Sequence, residues 1–288
     1  MQKIDKAYLE ISNICNLQCS FCHGTKRERR MLSEPEFEQL TDALAGRVKF
    51  LYFHLMGEPF LHPSLPHFIK RAWEKGFYPI LTTNGSLLHK CGERLLSSLP
   101  YKISISLHAP AANPAFADPD YFDGCIAFSE RAAALGCITV LRLWNVGGDG
   151  EQENEAILRR LHEAFPDEWA PSHRDSIRIS RDRVFLEWGE HFDWPDANAP
   201  EAPADEPIFC RGLRDQIGVL CDGTVVPCCL DAEGGIALGN LFHTPLQDIL
   251  ESPRARAIYD GFTVHRAAEP LCRRCGYAKK FKRGRYAN

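Results

Sequence analysis

The stretch Ile14-Cys-Asn-Leu-Gln-Cys-Ser-Phe-Cys-His23 carries Cys15, Cys19 and Cys22 in a Cys-x3-Cys-x2-Cys spacing, directly after a charged, strand-like opening segment. Soft thiolates suit iron better than oxygen ligands do, and a four-iron cube is normally held by four of them. Three thiolates leave one iron without a protein ligand. An open metal position is where chemistry happens, by the logic that separates catalytic from structural zinc. The competing reading is a structural zinc knuckle or three unrelated thiols. Zinc favours four ligands in paired Cys-x2-Cys units, and His23, adjacent to Cys22, is poorly placed as the fourth.

Composition sets the frame around this motif. A chain of 288 residues, 44% of them hydrophobic, suits one large or two modest domains with a real core. Its formal net charge of −4 gives no overall pull toward nucleic acid or membrane. Met1-Gln-Lys-Ile-Asp-Lys6 lacks the apolar stretch of a signal peptide, and no apolar run approaches membrane-spanning length. No membrane partner and a cytoplasmic address are therefore expected. In a reducing compartment, 12 cysteines argue for metal ligation rather than disulfides. Cys91, Cys125 and Cys137 fall in core-like segments and read as small buried hydrophobes.

Strand-like and helical runs alternate, which argues for parallel βα units in an α/β fold. Strands are expected over 7–13, 49–55, 77–83, 101–107, 137–144 and 176–187, and helices near 34–44, 64–75, 87–99, 121–135 and 153–165. A closed eight-fold barrel takes ~250 residues. Six strands within 190 fit a partial (β/α)6 barrel better. In the fourth strand Tyr101, Ile103, Ile105 and Leu107 alternate with Ser104, Ser106 and His108. Helices cover the outside of such a barrel, so the polar face points inward. The same parity turns Glu10, Ser12, Tyr52, His54, Glu58, Arg142, Arg178 and Ser180 into the lumen. So polar a lumen calls for a polar ligand, with mutual pairing as the alternative for His54 and His108. Arg142 and Arg178 suit a carboxylate.

Taken with Phe21, the cysteine run resembles that of the radical S-adenosylmethionine (radical SAM) superfamily. Met56-Gly57-Glu58-Pro59 resembles the family's Gly-Gly-Glu-Pro element with Met56 replacing the first glycine, and Thr82-Thr83-Asn84-Gly85 resembles another common segment of it. The resemblance implies the six-stranded barrel. It also implies a [4Fe–4S] cluster on Cys15, Cys19 and Cys22 whose open iron chelates the amino and carboxylate groups of SAM. Reduction then cleaves SAM to a 5′-deoxyadenosyl radical. Gly57, which allows close approach, and Glu58, which accepts from the ammonium, are the expected amino-group site. Asn84, Ser104, Ser106 and Arg142 complete the expected cofactor-binding residues.

Past residue 190, Trp194-Pro-Asp-Ala-Asn-Ala-Pro-Glu-Ala-Pro-Ala-Asp-Glu-Pro207 breaks the periodicity and reads as a linker. The expected domains are a barrel over 1–190, a linker over 191–207 and a second unit over 208–288. Ile217 to Pro227 reads as a β-hairpin turning at Asp222-Gly223, with Cys210 before it and Cys228 at its end, and 245–259 reads as helical. Cys272-Arg-Arg-Cys275 follows. This order resembles the twitch subdomain, a shortened relative of the SPASM domain. The resemblance implies that Cys210, Cys228, Cys272 and Cys275 ligate one auxiliary [4Fe–4S] cluster, with Cys229 a possible substitute for Cys228 and Cys221 without a role. No cysteine follows Cys275, so a second auxiliary cluster is not expected. A zinc ribbon on the same four thiolates is the alternative.

The resemblance implies an enzyme that removes hydrogen from an unactivated C–H bond, in a net oxidation of a peptide or protein side chain or of a small polar metabolite. Its partners would be that substrate and an electron donor such as flavodoxin or ferredoxin. The basic runs Thr25-Lys-Arg-Glu-Arg-Arg30 and Lys279-Lys-Phe-Lys-Arg-Gly-Arg285 suit an anionic substrate or RNA. They also define the alternative class, a non-catalytic, zinc-stapled nucleic-acid-binding protein.

Overall fold

The computed structural model describes residues 4–282 other than 114, 168, 174, 181, 204 and 205. In chain order its elements are β1 (Lys6–Leu9), α1 (Glu34–Leu44), β2 (Phe50–Tyr52), α2 (Leu65–Glu74), β3 (Tyr78–Thr83), α3 (Leu88–Cys91), α4 (Glu93–Leu96), β4 (Lys102–Ser106), α5 (Tyr121–Ala134), β5 (Ile138–Val146), α6 (Asn154–Ala164), β6 (Ala170–His173), β7 (Ser176–Arg178) and β8 (Val184–Glu190). The remainder comprises β9 (Gln216–Val219), β10 (Thr224–Val226), β11 (Gly239–Asn240), α7 (Leu246–Glu251), α8 (Pro253–Thr263), α9 (Pro270–Arg273) and α10 (Lys279–Lys282).

One sheet runs in the order β11-β10-β9-β1-β2-β3-β4-β5-β8-β7-β6. Its middle, from β1 to β5 and then β8, is parallel throughout and forms the expected six-stranded partial barrel. The outward residues Ala7, Leu51, Leu81, Ile103, Leu141 and Leu186 are fully buried under the helices. Helix α1 shows how the covering layer is specified. Ser33 and Glu36 form a reciprocal capping box that fixes its start, and Phe37, Leu40, Thr41 and Leu44 line its buried face. Phe37 stacks on Phe68 of α2 with ring centroids 4.0 Å apart.

Three expected elements change. The strand foreseen over 176–187 is two strands, because the chain reverses between β7 and β8, with Arg183 at a positive φ of 58°. Arg178 is consequently exposed on the outer hairpin, Ser180 falls in the reversal, and Glu187 of β8 takes the lumen position paired with Arg142. The helix foreseen over 87–99 divides at Gly92, where an added Cβ would lie 2.7 Å from the Phe128 ring. The run over 245–259 divides at Ser252, which precedes Pro253 and is extended at ψ 148°. The C-terminal hairpin extends the barrel's own sheet. Strand β9 pairs in parallel with β1, Ala7 opposite Ile217 and Leu9 opposite Val219.

Residues 191–207 contain no helix or strand among those described. They are nonetheless docked. Glu201 takes Arg273 and Arg274 at 2.8 Å each, and Ala202 N donates to Arg273 O. No helix among the described residues is long and apolar enough to cross a membrane.

Candidate active site

The loop between β1 and α1 brings Cys15, Cys19 and Cys22 to the carboxyl edge of the parallel strands, where barrels gather their functional groups. N–H groups point at all three sulfurs. Leu17 N lies 3.5 Å from Cys15 Sγ, Gly24 N lies 3.4 Å from Cys22 Sγ, and Asn113 Nδ2 donates to Cys19 Sγ at 2.9 Å. Asn84 Nδ2 reaches Cys15 Sγ at 3.8 Å. Burial raises all three thiols, Cys19 to about 11 although the Asn113 bond opposes it. Ligation of a cation would displace those protons. The three cysteines share a pocket of about 450 Å³ with Asn13, Met56, Gly57 and Trp194, a size typical of small-molecule sites.

Gly57 sits where the loop after β2 crosses the loop after β1. Its φ of 80° belongs to glycine, and an added Cβ would lie 2.3 Å from Ser12 O. Glu58 N donates to Ile14 O at 2.9 Å, and the two loops become one unit. The Glu58 side chain does not face the open pocket. It is 2% exposed and accepts from Phe60 N (3.0 Å), Thr83 Oγ1 (2.8 Å) and Asn84 N (2.8 Å). Burial outweighs these three bonds and lifts its pKa to about 7. Asn84 accepts at Oδ1 from Ser86 N and Ser86 Oγ, donates to Asn16 Oδ1 and turns toward Cys15. Glu58 thus anchors the Asn84 loop beside the cysteines. Tyr121 of α5 supports that loop from below, its hydroxyl 2.9 Å from Asn84 O and 3.0 Å from Ser106 O.

Other expected lumen groups are committed elsewhere. Glu10, fully buried, accepts from Arg27 Nη2 (2.6 Å), Met56 N (3.3 Å) and Cys221 N (3.1 Å). It joins the barrel, the cysteine loop and the C-terminal hairpin. Ser12 Oγ accepts from Ile14 N, and His108 Nδ1 lies 3.3 Å from Trp144 N. Arg27 pairs with Glu10 and Arg30 with Glu36, so these members of the first basic run do not form a free anion grip. Residues 283–285 of the second run lie outside the described residues.

A second cavity occupies the lumen mouth. Its walls are Tyr8, Tyr52, His54, Arg142 and Trp144 on the barrel side and Cys210, Cys228, Cys229, Cys272 and Cys275 on the hairpin side. Burial and the neighbouring Cys210, Cys229, Cys272 and Cys275 raise Cys228 well above the ordinary thiol range. Cys229 stands on the barrel side of this group, against Tyr8. Cys221 is buried away from the cavity and donates to Glu10 O at 3.1 Å. The two cavities adjoin at the end of β2, where His54 lines one and Leu55 and Met56 the other.

Both cysteine sets fit iron–sulfur ligation by donor chemistry. They are soft sulfurs, three with N–H donors and four around one cavity. Among the described residues no three His, Cys, Asp or Glu side chains converge on a single metal ion. A cube spreads its ligands over four irons. Of the expected cofactor-binding residues, Gly57 and Asn84 stand beside the cysteine loop. Ser104 is fully buried, Ser106 contributes its carbonyl to Tyr121, and Arg142 belongs to the second cavity. The sequence reading missed Asn113, which lies outside any motif, and Tyr8 and Glu187, which strand parity was able to supply once the register was known.

Comparison with known proteins matches the radical SAM superfamily model to residues 9–169 and the SPASM iron–sulfur cluster-binding domain model to residues 210–276. A tungsten-containing aldehyde ferredoxin oxidoreductase cofactor-modifying protein of Pyrococcus furiosus is 35% identical over 85 residues, 28% of this chain and 24% of that protein. The antilisterial bacteriocin subtilosin biosynthesis protein AlbA of Bacillus subtilis is 22% identical over 281 residues, 88% of this chain and 61% of that protein. The chain therefore spans less than two thirds of either relative. The crystal structure of BtrN with AdoMet and 2-DOIA superposes with a TM-score of 0.59 at 18% identity, covering 96% of this chain and 94% of that one.

Proposed function

The chain belongs to the radical SAM superfamily and carries a SPASM iron–sulfur domain, and on that premise we propose that it oxidises a C–H bond of a substrate held in the cavity shared by the barrel lumen and the C-terminal cysteines. SAM and [4Fe–4S] clusters are the cofactors of these two domains. When bound, they supply a 5′-deoxyadenosyl radical for removal of a hydrogen atom and, at Cys210, Cys228, Cys272 and Cys275, an acceptor for a second electron. The observation that carries the reading is the shared cavity, in which Tyr52, His54 and Arg142 face the SPASM cysteines across one space.

The chain's own residues supply position and dryness. Gly57 and Asn84 shape the SAM pocket, with Glu58 holding Asn84 in place. Trp194 closes part of that pocket, its indole N–H donating to Phe21 O at 3.0 Å. Tyr8, Tyr52 and Trp144 give the neighbouring cavity aromatic walls that limit water. An external electron donor such as flavodoxin or ferredoxin completes the system. The likeness to BtrN, whose crystal holds 2-DOIA, supports a small polar substrate; the likeness to AlbA, named for bacteriocin biosynthesis, supports a peptide.

Cys229 favours a second reading. It lines the same cavity outside the proposed four-cysteine set, against Tyr8. A thiol there is able to return a hydrogen atom to the substrate, which converts oxidation into epimerisation. Anaerobic turnover in D2O with metabolite and peptide pools separates the two. Oxidation gives one 5′-deoxyadenosine per product and a product lighter by two hydrogens. A product of unchanged composition with one solvent deuterium rejects oxidation and identifies the thiol route.

A further inference from the structure

The wall of the shared cavity carries buried hydrogen-bonding atoms that the fold leaves unanswered. Strand register puts Tyr8 opposite Tyr52, and Ser106, Arg142 and Glu187 side by side on the inner face, with Thr82 opposite Ser104 one step below. Among the described residues, His54 Nδ1, Arg142 Nε and Trp144 Nε1 in this wall, and Ser104 Oγ deeper in the lumen outside the cavity lining, are buried without a hydrogen-bond partner. Two of the four, the guanidinium and the indole N–H, have no acceptor capacity at all. Buried donors without acceptors cost free energy, and the group that answers them brings oxygen lone pairs.

Charge points the same way. Burial and the nearby Arg142 both lower the Lys102 pKa, so two cationic side chains share the lumen. Glu187 Oε2 is 3.8 Å from Arg142 Nε, well beyond the ~2.7–2.9 Å of a charge-assisted bond. Asp231, the buried carboxylate that does line this cavity, has its oxygens taken by Gly235 N (2.8 Å) and Ile236 N (2.7 Å), and Glu10, deeper in the lumen, is paired with Arg27. Burial and Arg142 hold the His54 pKa near 3, so its ring is neutral and offers Nδ1 as a polar group without charge. Arg142 stacks over Trp144 with its guanidinium carbon 4.4 Å from the ring, which uses the face of the group; Nη1 donates to Thr82 Oγ1 at 3.4 Å, and Nε is left for a ligand. Gly189 makes the arrangement possible, because a Cβ there would lie 2.8 Å from the indole.

We propose that Arg142 and Trp144, with His54 beside them in the same cavity wall, form an oxyanion subsite that recognises a carboxylate or phosphate of the substrate. This rests on the reading of the shared cavity as the substrate site. It moves Arg142 from the expected cofactor set to the substrate side, because Arg142 lines the cavity of the SPASM cysteines and not the pocket of Cys15, Cys19, Cys22 and Gly57. The aromatic walls formed by Tyr8, Tyr52 and Tyr277 add flat apolar surface for the rest of the molecule.

The test is calorimetric titration of the cluster-loaded, SAM-bound protein with sodium malonate and, separately, sodium phosphate. Saturable binding of either supports the subsite, and the tighter arm identifies which oxyanion it suits. Arg142→Gln is expected to weaken that binding at least tenfold and Trp144→Phe severalfold. Glu187→Gln is expected to tighten it severalfold, since it removes the carboxylate that competes for Arg142. Iron content and the cluster absorbance of each variant report folding. If Arg142→Gln loses its iron, Trp144→Phe and Glu187→Gln carry the test. Equal binding in wild type and all variants, no binding of either anion, or binding that SAM abolishes would overturn the proposal. Absent anion binding in a wild-type protein that holds its iron and cleaves SAM overturns the subsite alone, whereas failure to cleave SAM removes the enzyme reading whatever the anions do.

Discussion

Glu58→Gln changes one atom of the carboxyl that ties the Asn84 loop to the loop after β2, and its effect on stability is expected to depend on pH. The folded pKa of about 7, against 4.5 for the unconstrained group, means that the native state holds a proton the unfolded chain has released between those two values. Stability from this group is therefore highest below pH 4.5 and falls as pH rises toward and past 7. The full difference is about 3 kcal/mol. Glutamine removes that titration. Its carbonyl is able to take the bonds from Phe60 N and Thr83 Oγ1, but its amide then meets the Asn84 N–H donor to donor, a fixed cost of roughly 1–3 kcal/mol. Wild type should accordingly exceed the variant in stability by the widest margin near pH 5, and the margin should shrink, by several degrees in melting temperature, toward pH 8. Scanning calorimetry of both cluster-loaded proteins across this range measures the margin directly, because His54, His108 and every other titrating group cancel in the comparison. A margin that stays constant, or widens with pH, refutes the account of Glu58 as a buried carboxyl whose desolvation outweighs its three hydrogen bonds.

Gly57→Ala forces a Cβ to 2.3 Å from Ser12 O at a φ of 80°, so roughly 1–3 kcal/mol of stability and at least tenfold in SAM affinity should be lost; unaltered melting and SAM binding would show that the crossing of the two loops is not close. Asn113→Ala deletes the 2.9 Å bond to Cys19 Sγ, and an N–H···S bond stabilises the more negative, reduced cluster. The cluster's midpoint potential should drop by roughly 20–60 mV with iron retained, as anaerobic potentiometry would read; an unmoved potential counts against the bond. Glu10→Ala strands Arg27, whose side chain is 16% exposed, and should cost about 3–5 kcal/mol in chemical denaturation, with Glu10→Met/Arg27→Met recovering most of it. No recovery in the double variant would mean that packing around Glu10, rather than its charge, holds the three segments together.

Local chemistry made much of this legible from sequence. Thiols at fixed short spacing, the Gly57-Glu58-Pro59 turn and the alternation of Ser104 and Ser106 with isoleucines each depend on neighbours a few residues apart. Distant pairings were not encoded that way. Nothing near Asn113 announces a partner 94 residues away, and Arg27 looks like any solvated cation until the fold buries Glu10 beside it. Parity puts Arg178 in the lumen only if the chain keeps its direction through the run, and the reversal before Val184 breaks that count. Likewise the hairpin around Asp222-Gly223 was readable as a hairpin, but which sheet edge it joins is decided by β1's free side. The motif identifies the Glu58 carboxylate, but sequence does not show the three donors that surround it.

The central claim is that the two cysteine sets hold separate clusters, one that cleaves SAM and one that faces the substrate. Iron, sulfide and zinc analysis of the anaerobically reconstituted protein, combined with a reductive SAM-cleavage assay, tests it in three proteins. Replacing Cys15, Cys19 and Cys22 by Ala should remove half the iron and all SAM cleavage. Replacing Cys210, Cys228, Cys272 and Cys275 by Ala should remove the other half and leave SAM cleavage measurable. Iron unchanged by either set of substitutions, or stoichiometric zinc in place of iron and sulfide in the wild-type protein, would contradict the account.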